Sequence, residues 1–426
     1  MKTILITAYA VNPFKGSEDG TGWNFAYHAA KINKVVLFTR ENNKQHIERY
    51  IQENEHDQAL QNIKFYYFDL PNWVLKLKKR SGERGYVIYF WLWQYFIVNR
   101  IKKLNLEFDI AHGLNFHSDS QPMFLWKLGK PTIWGPIGHH PPISNIFIRK
   151  FPVKELVRDR LYLLVKWMFR NLDPFFRKSV RKTDKIIAIN SSVAEAIGVN
   201  ESKITVLPAV GCDYSLNRNI SHDLVFNVLS IGRFVPMKGF DLTISAFSKF
   251  IYDLPKGERN RVKLKLIGKG PQYKRLKKLA IKLNIDQHID WIAWVNKCEV
   301  EAYYKNAAIF LFPSHEGAGM VVPEAMSYGL PVVCIDNVGP GELINDDAGI
   351  KISANSRSQV IDDLASSIML LYCNSGLRSF KGQEAVRLVK NKYDWSKKSL
   401  QLQSIYNDLL YGENEIMEFE LDIKRA

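Results

Sequence analysis

Short apolar runs alternate with longer amphipathic segments along most of this chain. That alternation narrows the fold to α/β with mainly parallel sheets. In the first half the runs are residues 4–7, 34–39, 63–68, 110–112, 132–134, 186–189 and 204–207. Residues 22–32 and 42–54 carry helical spacing between them. A polar stretch without clear periodicity, residues 211–222, then breaks the pattern. A second series follows at 225–231, 262–267, 289–292, 309–313 and 332–335. The expectation is two Rossmann-like doubly wound domains, residues 1–210 and 223–394. Residues 395–426 are expected to form a C-terminal helix and tail packing back on the first domain. Ligands of such domains bind beyond the carboxyl ends of the strands, so two facing each other would frame a central cleft.

Composition excludes other classes. With 46% hydrophobic and 24% charged residues, the 426-residue chain is an ordinary globular one, not disordered, collagenous or a disulfide scaffold. Its net charge of +16 calls for an anionic partner. The surplus is uneven. Residues 76–103 hold eight cations against one carboxylate, and residues 149–185 hold twelve against four. Aromatic residues interleave with these cations: Trp73, Tyr86, Tyr89, Phe90, Trp91, Trp93, Tyr95 and Phe96 in the first stretch. Phe147, Trp167, Phe169, Phe175 and Phe176 accompany the second. The mixture suits an anionic membrane surface. Nucleic acid would bind such a mixture too, but no nucleic-acid module accompanies it, so none is expected as a partner. The apolar run 86–98 is too short to span a bilayer. The four cysteines, Cys212, Cys298, Cys334 and Cys373, form no CxxC pair and are expected to be buried thiols of a cytoplasmic protein.

Three segments of the second domain carry chemistry. In Ser230-Ile-Gly-Arg-Phe-Val-Pro-Met-Lys-Gly-Phe-Asp241, Arg233 and Lys238 sit in a turn after a strand, where two cations can hold a diphosphate. Asp241 is expected to N-cap the helix that follows. In Leu266-Ile-Gly-Lys-Gly-Pro-Gln-Tyr273, Gly268 belongs to a glycine turn, either structural or ligand-bearing. The third is Leu311-Phe-Pro-Ser-His-Glu-Gly-Ala-Gly-Met-Val-Val-Pro-Glu-Ala-Met-Ser-Tyr-Gly-Leu-Pro-Val-Val333. A strand ends at Pro313, and Gly317 and Gly319 open the loop. A helix over 320–328, with free amides at Met320 and Val321, offers an anion site. Glu316 and Glu324 are placed to accept hydrogen bonds from sugar and ribose hydroxyls.

Glu-x7-Glu enclosing Gly-x-Gly, followed by Glu-Ala-Met-x-x-Gly-x-Pro-Val-Val, resembles the signature of glycosyltransferase family 4. The two earlier segments resemble that family's preceding elements in the right order. The stretches 7–23, 124–138 and 337–344 resemble a bacterial surface-polysaccharide subgroup. The resemblance implies a GT-B fold and a retaining hexosyltransferase, usually discussed as acting by front-face displacement, with a covalent intermediate on a protein carboxylate as the alternative route. It implies a nucleotide-diphosphate sugar as donor and a glycan acceptor linked to polyprenyl diphosphate, hence a peripheral enzyme at the inner face of the cell membrane. By the same resemblance Glu324 binds the ribose and Glu316 the donor sugar, while Arg233 and Lys238 hold the diphosphate. The family's aromatic residue two after the first Glu is Ala318 here. A non-hydrolysing nucleotide-sugar epimerase and a non-catalytic nucleotide-sugar-binding subunit are the alternatives.

In the first domain Gly16, Gly20 and Gly22 are expected in an open loop before a helix, where the backbone approaches a ligand. The resemblance turns that loop toward the donor diphosphate and makes Glu18 an acceptor contact. Segment Asp109-Ile-Ala-His-Gly-Leu-Asn-Phe-His117 matches the family's histidine at His112, with His117 as the other candidate. His139 and His140 are expected on the acceptor side. Neither Asp-x-Asp nor HExxH occurs, so no metal or other cofactor is expected.

Overall fold

A computed structural model of the protein describes residues 1–80, 82–114, 118–212 and 225–425, with side chains at 17, 82–84, 297–298 and 413–425 left aside. His117 and most of the 211–222 stretch therefore lie outside the described residues. The chain divides into two compact units. One comprises residues 1–139, 164–209 and 395–426, and the other residues 140–163 and 210–394.

The first unit is built on a parallel sheet of β1 (Thr3–Ala8), β2 (Lys34–Thr39), β3 (Ile63–Tyr67), β4 (Ile110–Leu114), β5 (Thr132–Ile137), β6 (Lys185–Ala188) and β7 (Ile204–Val206). Its order is β3-β2-β1-β4-β5-β6-β7. The second sheet holds β8 (Phe226–Ile231), β9 (Val262–Ile267), β10 (Ile289–Ile292), β11 (Ile309–Phe312), β12 (Val332–Ile335) and β13 (Gly349–Ile352), ordered β10-β9-β8-β11-β12-β13. Both are doubly wound, with switch points between β1 and β4 and between β8 and β11. Strand β13 escapes a sequence reading. Gly-Ile-Lys-Ile is four residues long, and as an edge strand it buries only half of them.

Residues 140–163 pack with the second unit rather than the first. Ile143, Phe147, Ile148 and Phe151 are buried in its core beside Phe234 and Phe240. Arg275 lies over the Phe151 ring at 4.3 Å and donates to Lys150 O at 3.0 Å. The last helical segment, Trp395–Arg425, broken at Gly412, returns to the first unit. Trp395, Leu402, Ile405 and Tyr406 join the core of Ile4, Ile6 and Phe25. The His28 ring stacks on Trp395 with centroids 4.8 Å apart.

Two sequence expectations change in the first unit. Gly20 and Gly22 do not lie in an open loop, because the helix starts at Ser17 and runs to Ala30. A Cβ on Gly20 would fall 2.4 Å from Lys15 O, and one on Gly22 2.1 Å from Ala10 O. These glycines let the helix close against the preceding loop. The aromatic residues of the basic stretch also divide. Tyr89, Phe90 and Trp93 fill the core, whereas Trp73 and Phe96 are exposed. Cys212 and Cys334 are buried, but Cys373 is exposed. Among the described residues no helix is long and apolar enough to cross a membrane.

His112 ties this unit together. It is fully buried on β4, its Nε2 lies 2.8 Å from Gly135 O, and its Nδ1 lies 2.8 Å from Tyr406 Oη. With Nε2 protonated, the ring donates to the carbonyl and accepts from the tyrosine. Burial pushes its pKa down to about 4, against a small opposing pull from the Gly135 carbonyl. The unfolded chain therefore binds the extra proton between pH 6.5 and about 4, and stability contributed above pH 6.5 is lost as pH falls through that window. Acidification from pH 7 to 5 should remove about 2 kcal/mol through this group. Tyr406→Phe leaves Nδ1 buried without its donor and should cost about 1–3 kcal/mol in urea denaturation. An acid dependence unchanged in His112→Leu would show that His112 does not carry it.

Candidate active site

The second unit's switch point lies between β8 and β11, which pair at Ile309 with Val228 and Phe310 with Leu229. The loops leaving these two strands hold the candidate residues. After β8 the chain turns through Gly232 and a short 3-10 segment, Pro236–Lys238, into the helix Phe240–Asp253. Gly239 carries φ 68 there, and a Cβ on it would meet Pro313 O at 2.0 Å. That contact clamps the turn onto the loop after β11. His315 N and Ser314 Oγ both donate to Met237 O, at 2.8 and 3.1 Å.

This clamp brings Lys238 and Glu316 together across 78 residues of sequence. Lys238 Nζ lies 2.7 Å from Glu316 Oε1 and 2.7 Å from Oε2. The Glu316 side chain is 7% exposed and that of Lys238 17%. The ammonium also stands 5.0 Å over the Phe312 ring. Arg233 is exposed and ion-pairs with no described residue. The turn after β8 thus offers one held cation and one open one.

The loop 314–319 is supported from below. Asn337 Nδ2 donates to Ser314 O at 2.7 Å, and its Oδ1 accepts from Gly339 N at 3.1 Å. A Cβ on Gly339 would sit 1.9 Å from Glu316 O and 2.6 Å from Ala318 O. Gly317 N donates to His140 Nδ1 at 3.0 Å. His140 therefore belongs with the Glu316 loop of the second unit. Gly319 has φ 142, and a Cβ there would press on Pro340 Cγ at 3.3 Å.

The helix that follows is Val321–Ser327, shorter than the sequence suggests, with Met320 as its N-cap. It ends as expected at Gly329, φ 68, whose N–H bonds Met326 O while Leu330 N bonds Ala325 O. Glu324, half-buried in its first turn, accepts from Tyr304 Oη at 3.3 Å. Burial and then the nearby Glu324 charge push the Tyr304 hydroxyl well above its ordinary value, which keeps it a donor. Gly268 backs the first loop: a Cβ there would fall 1.9 Å from Gly232 O. Asp241 does not cap its helix. Gly239 occupies that position, and Asp241, nearly buried, pairs with Arg357 at 2.8 Å.

In the first unit His112 is not open to a substrate, since Tyr406 and Gly135 occupy both its nitrogens. Glu18 is exposed on the first turn of the helix Ser17–Ala30, beside Asp19. His139 Nδ1 lies 2.6 Å from Asp119 Oδ2. Asp119, fully buried, also meets Lys166 at 2.5 Å and Arg170 at 3.6 Å. Burial alone would raise its carboxyl, but the bond from His139 and the two cations outweigh that and hold it down at about 2. Asp119, His315 and Asn337 are not singled out by sequence reasoning, because isolated polar residues in loops carry no spacing signal. Among the described residues no group of three or more His, Cys, Asp or Glu side chains is placed to hold a metal ion.

Comparison with known proteins follows the same lines. Residues 223–387 match the family described as Glycosyl transferases group 1. The chain is 27% identical over 237 residues to an uncharacterized glycosyltransferase of Methanocaldococcus jannaschii, covering 55% of this chain and 62% of that protein. It is 27% identical over 154 residues to the GDP-mannose-dependent alpha-(1-6)-phosphatidylinositol monomannoside mannosyltransferase of Mycobacterium tuberculosis, covering 33% of this chain and 38% of that one. The chain thus spans less than two-thirds of the length of either relative. The structure of Anabaena HepE in complex with UDP superposes with a TM-score of 0.62, over 96% of this chain and all of that one, at 15% identity. The fold is of the GT-B glycosyltransferase type, α/β with two Rossmann-like units.

Lys238→Met would strand the buried Glu316 carboxylate without its ammonium. The loss should be about 3 kcal/mol, the low end for a buried pair because Lys238 keeps some solvent contact. Lys238→Met/Glu316→Leu should recover most of it, since no charge is then left unpaired. Additive losses in a denaturant double-mutant cycle would contradict the coupling.

Proposed function

Because residues 223–387 carry a Glycosyl transferases group 1 domain, we propose that the protein is a retaining, metal-independent hexosyltransferase. It takes its sugar from a nucleotide diphosphate and passes it to a glycan carried on a lipid diphosphate, at the inner face of the cell membrane, in surface polysaccharide assembly. The observation that carries the reading is the Lys238–Glu316 pair at the β8/β11 switch point. An ammonium held there by a single carboxylate is ready to exchange that partner for a diphosphate. The carboxylate so released is ready to accept hydrogen bonds from sugar hydroxyls.

In this mechanism the acceptor oxygen bonds to the anomeric carbon as the bond from that carbon to the diphosphate breaks. The acceptor proton passes to the departing phosphate oxygen, and the nucleoside diphosphate leaves. Lys238, with the open Arg233, neutralises the negative charge that grows on the leaving group. Glu316 orients the donor sugar, and Glu324 accepts from the ribose hydroxyls. The amides at Gly319, Met320 and Val321 line the same donor, while the Gly317 amide stays on His140. His139, fixed in orientation by Asp119, serves the acceptor, with Glu18. His112 holds the core instead. The UDP held by HepE supports a nucleotide donor. The lipid-linked acceptor named for the mycobacterial relative, and the basic stretches of the first unit, support the acceptor and the anionic membrane surface.

The sequence lacks Asp-x-Asp, and two cations take the metal's place, so transfer should survive EDTA. Loss of activity on chelation, restored by Mg²⁺ or Mn²⁺, would mean the diphosphate site is misassigned. Lys238→Ala should lower turnover by on the order of 10²–10³. The two glutamates should separate in a titration with purified protein. Glu324→Gln weakens the free nucleoside diphosphate as well as the donor. Glu316→Gln keeps nucleotide affinity and lowers kcat. Equal loss of nucleotide affinity in both would overturn the assignment.

A further inference from the structure

In the helix Val153–Leu172 most of the charged side chains are tied to the protein, and the large apolar ones stand in solvent. Glu155 Oε2 accepts from Gln272 Nε2 at 2.7 Å. Arg160 Nη2 donates to Asn145 Oδ1 at 2.6 Å. Lys166 and Arg170 both reach the buried Asp119. Val153, Val157, Leu161, Leu164, Met168 and Leu172 recur at every third or fourth residue, so they form one row along the helix. Their exposure runs from 46% at Met168 to 74% at Val153. A helix of a globular protein ordinarily turns such a row to its core. With the exposed Val165 and Trp167 beside it, the row leaves bare an apolar area comparable to the roughly 800 Å² that each partner brings to a standard protein interface. Monomers usually leave less than that open.

The row is the same read from either end. Its steps are four, four, three, four and four residues. Two copies of the helix, laid antiparallel about a two-fold axis between residues 162 and 163, therefore match at every position of the row. Val153 faces Leu172, Val157 faces Met168 and Leu161 faces Leu164, each contact being made twice. Charge agrees with this register. Lys154 and Arg158 are exposed, and in a chain of net charge +16 two copies repel unless such cations keep apart. Here Lys154 comes opposite Asn171, and Arg158 opposite Trp167, whose ring face attracts a guanidinium. The two copies of Arg158 stand about 13 Å apart along the axis and the two of Lys154 about 25 Å. Both separations exceed the ~8 Å over which charge acts at physiological salt. A lipid surface sets no such requirement on the order of the side chains. It would also draw on free cations beside the row, whereas Arg160, Lys166 and Arg170 are engaged.

We propose that the exposed face of Val153–Leu172 pairs with the same face of a second copy of this chain, antiparallel and two-fold symmetric, to form a homodimer. Leu161 and Leu164 of both copies make the centre of the interface, and Arg158 with Trp167 closes each flank. The pairing uses none of the donor-site residues, so it forms with or without nucleotide.

Sedimentation velocity of the full-length protein over a concentration series tests this. A dimer is expected at micromolar concentration. Leu161→Glu, at an exposed position, sets two carboxylates in the middle of the apolar row and should weaken dimerisation by on the order of a hundredfold or more. Val157→Glu and Met168→Lys should each give monomers. A mixture of the two should recover a one-to-one heterodimer, because the antiparallel register sets position 157 against position 168. That recovery also shows that both variants keep their fold. A wild-type protein that stays monomeric throughout the series would overturn the proposal, as would a dimer that Leu161→Glu leaves intact. A mixture of Val157→Glu and Met168→Lys that stays monomeric would overturn the register and the proposal with it. A monomer that binds anionic phospholipid vesicles and loses them in Leu161→Glu would assign the face to the membrane instead.

Discussion

A salt bridge of 2.7 Å between Lys238 and Glu316 is the contact on which the second unit's candidate site depends. Each partner leaves the carboxyl end of a different strand, and those strands, β8 and β11, flank the point where the winding of the sheet reverses. Nothing in the local sequence of either loop would hold such a pair. Gly239 lets the first loop touch Pro313 O, and Met237 O accepts from Ser314 and His315. Asn337 and Gly339 close the second loop from beneath. The neutral ring of His315 packs 4.5 Å from Phe147, where burial pushes its pKa down to about 4. An ammonium and a carboxylate so fixed lose little freedom on meeting a ligand, which is what preorganised electrostatic stabilisation requires.

The legible and illegible parts of this protein divide on physical lines. The strands that carry the sheets are buried on both faces, so they read as continuous apolar runs. Their loops could be placed because Gly329, Gly239 and Pro313 punctuate them. Glu316 and Glu324 stood out through their spacing around glycines. What stayed hidden depends on tertiary contact. His112 sits in a motif that suggests chemistry, and only its bonds to Tyr406 and Gly135 make it a core residue. His139 and His140 are adjacent in sequence but part company, one to Asp119 and the other to Gly317. Gly20 and Gly22 read as loop glycines, yet they are helical residues under a close backbone approach. The transfer of residues 140–163 to the second unit follows from apolar burial that no local signal marks.

The charge surplus acquires a finer meaning in the same way. Residues 72–103 look like a uniform basic and aromatic surface in sequence. Folded, they sort into core rings around Tyr9, a caged ammonium at Lys78, and an open apolar face ending in Arg100 and Lys103.

We propose that Lys238, held by Glu316, is the cation that takes the donor's diphosphate. Titrating nucleoside mono- and diphosphates of one base into wild type and Lys238→Met, by calorimetry, addresses it most directly. Wild type should prefer the diphosphate by on the order of tenfold to a hundredfold, as expected for one desolvated charge pair. Lys238→Met should lose most of that preference and keep only the share that Arg233 supplies. A diphosphate preference that survives intact in Lys238→Met would contradict it.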